Sequence, residues 1–355
     1  MSRHRFAGIA AMAAVALPFA MVQAQQIIRL TPSNGRVAIW NLLGTAHIEQ
    51  GTSAEVEVEI TPRGADAARM ITRTGLIDGE QSLRIVYPVD EIRPAGAERS
   101  RERRSYTTLR MREDGRFDNN NTGRRLRIWS GASFEASADL IIRVPSNVAL
   151  DLHVAAGDVF AVGTSHTLSI DTYSGDVHTN ATRGSLHIDT GSGTVEVKGH
   201  SGDLSVDTGS GDIEVADVSG ARTISLDTGS GGVFVDRCTA SAQLKIDTGS
   251  GRVTARNIEA PEMNLDTGSG AVEVAPTTAA GALHVDTGSG AVTLIAPSDF
   301  SAELEISAGS GGIRSDLPLQ TLRHSEGELS ARIGSGRSRV SIETGSGGVS
   351  IRARR

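Results

Sequence analysis

Disulfides are the first thing this chain lacks. Its 355 residues include one cysteine, Cys238, so no intramolecular bridge can form and stability has to come from packing. Aromatics are scarce as well, with two Trp, three Tyr and seven Phe. That is low for a globular enzyme and too few for the two aromatic girdles of a transmembrane β-barrel. Beyond the N-terminus no long apolar run follows, which leaves no second segment able to span a membrane as a helix. Positive charge is also short. Lys and Arg number 35 against 42 Asp and Glu, a net charge of −7, which argues against a general nucleic-acid binder.

What is present begins with a leader. Arg3 and Arg5 precede an apolar stretch from Ala7 to Val22, and Val22-Gln23-Ala24 reads as a cleavage site. Residues 1–24 are therefore expected to be a Sec signal peptide, with the mature chain starting at Gln25. Removing Arg3 and Arg5 takes Lys and Arg from 35 to 33 and the net charge from −7 to −9. The expected destination is the periplasm, the cell surface or the medium.

Glycine is plentiful, at 41 residues, and it is periodic. The pentapeptide DTGSG occurs at 189–193, 207–211, 227–231, 247–251, 266–270 and 286–290. The last glycine of each unit falls at Gly157, Gly175, Gly193, Gly211, Gly231, Gly251, Gly270, Gly290, Gly311, Gly336 and Gly347. A period near twenty is the mark of a repeat architecture. Within one unit Leu186, Ile188 and Thr190 alternate with His187 and Asp189, and after the turn Val195 and Val197 alternate with Glu196 and Lys198. Period two means strands with one buried face. The fold class expected is all-β: a β-solenoid of about ten coils of about 18–21 residues with a narrow aliphatic core. Its strands, roughly five to seven residues long, are short of the roughly 9–11 that a membrane barrel strand needs.

Asp-Thr-Gly is also the catalytic loop of pepsin-like proteases. Those need two such loops facing each other and sharing a proton, whereas six copies on one face of a repeat do not face each other. The corner is better read as structural. Asp189, Asp207, Asp227, Asp247, Asp266 and Asp286 form a row in which each carboxylate can accept turn N–H groups. Gly193, Gly211, Gly231, Gly251, Gly270 and Gly290, with Gly191 and its equivalents, supply the tight corner. Stacked carboxylates repel by about 1 kcal/mol in water at strand spacing, so the row has to be solvated or capped. Arg332 stands where the acid would be in one divergent unit, a replacement that a catalytic acid would not tolerate. No catalytic residue, metal or cofactor is therefore assigned. Calcium is the alternative ligand, because the row offers hard oxygen donors, although the glycine-rich calcium repeat is absent.

The domain reading is 1–24 leader, 25–62 N-terminal cap strands forming a degenerate first coil, 63–135 an irregular Arg-rich insertion, and 136–355 the repeat domain. Only a strand at Leu83–Tyr87 is expected inside the insertion. Residues 93–127 hold eleven Arg and five acids. Beside the bland reading as a solvated loop stands an anion-binding arm of Arg99, Arg101, Arg103, Arg104, Arg124 and Arg125. The shortened last step, to Gly347, suggests a closing hairpin or partial coil.

The leader, "NLLGTAHIEQG", "RVPSNVALDLHVAAGDV" and the tandem LxIDTGSGxVxV units together resemble the bacterial putative-adhesin family of β-strand-repeat proteins, a domain of unknown function. The resemblance covers 37–62 and 136–355. It implies an exported right-handed β-solenoid and brings no functional residues with it. The functional expectation is a non-enzymatic envelope-surface binding or scaffolding protein, with surface glycans or envelope polysaccharide as partners. A carbohydrate-active enzyme on the same scaffold is the alternative. It requires acids and bases clustered on one outer face, while the outward rows Ser169, His187, Ser205, Ser225, Lys245 and His178, Glu196, Glu214, Phe234, Thr254 are mixed.

Overall fold

The computed structural model describes residues 25–97, 106–117 and 122–354. The expected leader therefore lies outside the described residues. Among those described, the one helical element is a three-residue 3-10 turn, Ala67–Arg69, and no helix is long and apolar enough to cross a membrane.

Alternation in the sequence becomes alternation in burial. In Leu186–Thr190 the side chains of Leu186, Ile188 and Thr190 are buried, and His187 is exposed. The next unit, Leu204–Thr208, pairs with it in parallel, Leu186 opposite Leu204 and Asp189 opposite Asp207. Parallel pairing with no slip puts like residues on like residues. One ladder stacks Leu168, Leu186, Leu204, Ile224, Leu244, Met263 and Leu283. On the facing sheet Val177, Val195, Ile213, Val233, Val253, Val272 and Val292 do the same. All fourteen are buried. Burial of about 1.5–3 kcal/mol per aliphatic side chain is what holds such a core. One unit has no break between its two faces. Val233–Thr248 is a single strand that pairs in both sheets. Cys238 sits at its bend, fully buried, and burial pushes its thiol up to about 11, so it is packing rather than a reactive group.

Both ends depart from chain order. Ala282–Thr287 pairs with Ser338–Thr344, and only then does Ser338–Thr344 pair with Ala302–Ser307. The facing sheet repeats the pattern, Val292–Ala296 to Val349–Ala353 to Ile313–Ser315. The C-terminal segment is thus a full rung inserted beneath the unit that precedes it in sequence, rather than the expected terminal partial coil. Gly347 rests on Gly290, and Gly311 rests on Gly347. Beyond Ala302–Ser307, two antiparallel strands, Glu328–Ile333 and Gln320–Ser325, close this end.

At the other end Arg36–Leu43 and Ala46–Gln50 form a rung against Ala149–Ala156 and Val159–Val162. Below it lie Glu80–Val86, from within the insertion, and Ser137–Val144, just after it. Antiparallel strands Ile71–Ile77, Val56–Arg63 and Gln26–Leu30 cover that end.

The insertion is less irregular than the sequence suggests. Besides Ile71–Ile77 and Glu80–Val86 it carries a four-stranded sheet of Glu91–Arg93, Tyr106–Met111, Arg124–Trp129 and Phe134–Glu135. Leu109, Met111, Phe117, Leu126 and Ile128 are buried there. The alternation of Leu109 with Met111, and of Leu126 with Ile128, is the strand signal that the surrounding arginines obscured.

Candidate functional site

The corner is built around threonine. Thr287 Oγ1 donates to the Gly270 carbonyl at 3.0 Å and accepts the Gly290 N–H at 3.0 Å. Thr248, Thr267 and Thr344 do the same with Gly231 and Gly251, Gly251 and Gly270, and Gly290 and Gly347. Each hydroxyl closes its own turn and ties it to the rung below. The expectation that the DTGSG aspartate caps this turn is corrected accordingly. The inward residue reaches the turn amide, and the aspartate one position earlier points outward. Carboxylate caps do exist, but at another place. Asp158, Asp176 and Asp212 each accept the backbone N–H of the next rung, from Asp176, Thr194 and Gly232, at 2.7–3.0 Å.

The glycine expectation also needs adjusting. Gly193 and Gly211 take positive φ, 145° and 152°, but Gly191 does not. What the last glycines share is close approach. A Cβ on Gly193, Gly211, Gly231, Gly251, Gly270 or Gly290 would overlap the carbonyl of the glycine one rung below.

Asp189, Asp207, Asp227, Asp247, Asp266 and Asp286 are brought together as one outward row, preceded by Asp171 and followed by Glu343. Burial and the neighbouring carboxylates raise the pKa of Asp189, Asp227 and Asp266 above the ordinary carboxylate value. Lys245 lies against the row, with its Nζ 3.9 Å from Asp247. Among the described residues no three His, Cys, Asp or Glu side chains converge as metal ligands. An in-line row presents its carboxylates side by side, whereas calcium asks for about 6–8 oxygens around one point.

Two aromatic stacks stand at the N-terminal end, and the sequence reading missed both. On one face Trp40 stacks on His153 at 4.8 Å, and His153 Nδ1 lies 3.1 Å from Asp171, the first acid of the row. On the other face His47, Phe160 and His178 stack at 5.0 and 5.1 Å, and His178 Nδ1 lies 3.0 Å from Glu196. Lys198 and His178 hold Glu196 below the usual carboxylate range. Extending the outward row His178, Glu196, Glu214, Phe234 back by two rungs would have reached Phe160 and His47.

The arginine arm is only partly within view. Arg99, Arg101, Arg103 and Arg104 lie outside the described residues. Arg124 is occupied structurally: it donates to the carbonyls of Val89 at 2.7 Å and Tyr87 at 2.5 Å and pairs with Asp90. Arg125 is exposed on the same strand.

A family model for the Toastrack DUF4097 domain matches residues 118–352, about two thirds of the chain. The chain belongs to the Toastrack family. That is a domain of unknown function, so membership fixes kinship and leaves activity open. The Toastrack match takes in residues 118–135, the last part of the insertion, which the sequence resemblance had left out. No curated protein matches the chain. Among solved structures, a putative cell adhesion protein from Clostridium sporogenes ATCC 15579 is 12% identical, with 93% of this chain and 99% of that chain covered, at a TM-score of 0.24. A superposition at that level carries no argument.

Proposed function

We propose that this Toastrack protein is a non-catalytic β-solenoid, exported by residues 1–24 to the cell envelope, where its outer faces bind or scaffold surface glycan. We take the stack to be right-handed, of about ten coils. The observation that carries the reading is the in-register outward row from Asp171 to Glu343. Parallel pairing repeats one acceptor chemistry at every rung, and a linear polymer with repeated hydroxyls is the partner such a row suits. Single contacts of this kind are weak, and repetition supplies avidity. The antiparallel strands at both ends favour this over end-to-end polymerisation, which calls for an uncapped terminal rung.

The test is a pull-down of the purified chain with envelope polysaccharide, with and without calcium. Deleting 93–127 would remove buried Leu109, Met111, Phe117 and Leu126 from the core, so the arm is better probed by serine at Arg99, Arg101, Arg103, Arg104 and Arg125. Selective retention supports the reading, and its loss in the serine variant would place the contact on the arm. No retention under either condition would sink the binding reading.

A further inference from the structure

Phe234 is the one exposed phenylalanine among the described large apolar side chains, at 40%. It stands in the outward row of the Val177 sheet between Glu214 and Thr254. The aromatic rings at the N-terminal end stack face to face on each other, which occupies the surfaces a ligand would use. Among the described residues no other ring covers Phe234.

Beside it the corner is notched. The residue just before each strand of this sheet is Asp176, Thr194, Asp212, Gly232, Arg252 and Ala271 on successive rungs. Gly232 is not demanded by the backbone. It has no positive φ, and a Cβ there would make ordinary contact at 3.5 Å with Arg252 O and Asp212 Oδ1. Gly231, its neighbour, would clash with Gly211. The missing side chain at 232 opens a groove of about 250 Å³ lined by Asp212, Glu214, Gly232, Phe234, Arg252 and Thr254.

The polar groups around the groove are unspent. Arg252 is exposed and has no ion pair among the described residues, whereas Arg237 pairs with Asp217 and Arg256 with Glu273. Asp212 uses one oxygen on the Gly232 N–H, at 2.7 Å, which leaves the other to accept. Glu214 is exposed. An apolar ring face, two carboxylate acceptors and one guanidinium donor within a single small groove match a hexopyranose. Its C–H face packs on an aromatic ring, while its hydroxyls both donate and accept. Two carboxylates against one guanidinium leave the groove negative, which selects against anionic sugars.

We propose that the groove at Phe234 and Gly232 is a binding site for one uncharged pyranose ring. The proposal rests on the glycan-binding reading above and names where a sugar unit seats. A ligand of this size in so open a groove binds at about millimolar strength.

Saturation-transfer NMR on the purified chain tests this, with methyl β-D-glucopyranoside, methyl α-D-mannopyranoside and N-acetylglucosamine as probes. At least one should receive saturation. Phe234→Ala and Gly232→Thr should each weaken it about tenfold with the melting temperature unchanged. Threonine already occupies the equivalent position at Thr194, so the second variant fills the notch without disturbing the stack. No transfer to any of the three sugars overturns the site, as does transfer that persists in both variants. The polysaccharide pull-down run beside it separates the two claims. Monosaccharide transfer lost in Phe234→Ala with polymer still retained supports this site and leaves the broader reading standing on the acid row. A chain that takes up a monosaccharide but retains no envelope polymer supports the site and sinks the broader reading.

Discussion

The Thr287 hydroxyl donates at 3.0 Å to the carbonyl of Gly270, seventeen residues earlier and one rung below. Thr287 is buried and also accepts the Gly290 N–H. Replacing it by valine keeps the shape and removes both bonds, leaving a buried amide and a half-buried carbonyl unpaired. Thr287→Val should lower stability by about 1–3 kcal/mol. Thr287→Ser keeps the hydroxyl and should cost less. Denaturant midpoints of the two variants decide it. A larger loss in Thr287→Ser than in Thr287→Val would mean that the methyl, rather than the hydroxyl, matters.

Glycines in this protein differ in what they do. A Cβ on Gly270 would overlap the Gly251 carbonyl, and no neighbour can yield without breaking the stack. Gly312 has nothing within 4 Å of the same position. Gly270→Ala is expected to cost about 3 kcal/mol or more or to prevent folding. Gly312→Ala should stay within about 0.5 kcal/mol. Thermal melts of the pair would contradict the close-approach argument if both were tolerated alike.

Much of this was legible in the sequence because a repeat repeats its reasons. The Leu186 and Val195 ladders were readable from period two alone, and the recurrence of DTGSG at a period near twenty implied their register. The Thr role was half visible, since period two puts Thr190 on the buried face with Leu186 and Ile188. The carboxylate one position earlier was wrongly given the turn amide, because spacing does not tell which of two adjacent oxygens is closer. The order of the terminal rungs was hidden. Gly290, Gly311 and Gly347 look equivalent in sequence, and only pairing shows that Gly347 lies between the other two. The notch at Gly232 was hidden for a related reason: a glycine that nothing requires looks the same as one the fold cannot do without.

Asp227 gives the acid row a measurable sign. Burial, then Asp247 and Asp207, raise its pKa above 3.8. A carboxyl that binds its proton more tightly folded than unfolded destabilises the fold when ionised, and the penalty fades as pH falls through the raised value. Asp227→Asn should therefore stabilise the protein at pH 7. The gain is on the order of a few tenths to 1 kcal/mol once solvent screening is allowed for. The advantage should shrink as the pH approaches 3.8. Melting temperatures of both proteins across that range test it. A gain that does not change with pH would remove charge repulsion as its cause.

The inserted C-terminal rung makes the last prediction the most severe. Ser338–Thr344 stands between Ala282–Thr287 and Ala302–Ser307, with Val340 and Ile342 buried. Removing residues 337–355 takes out a rung from inside the stack rather than trimming its end. Ala282–Thr287 keeps Glu262–Thr267 but loses its partner on the other side, and the terminal unit with its two antiparallel strands loses its attachment. An unpaired parallel edge is a template for pairing with another chain. The truncated protein should aggregate or associate through that edge, as read by light scattering and sedimentation. Its residues 302–336 should become accessible to protease. If the C-terminus were a peripheral closing strand, the same truncation would leave a monomer with unchanged protection.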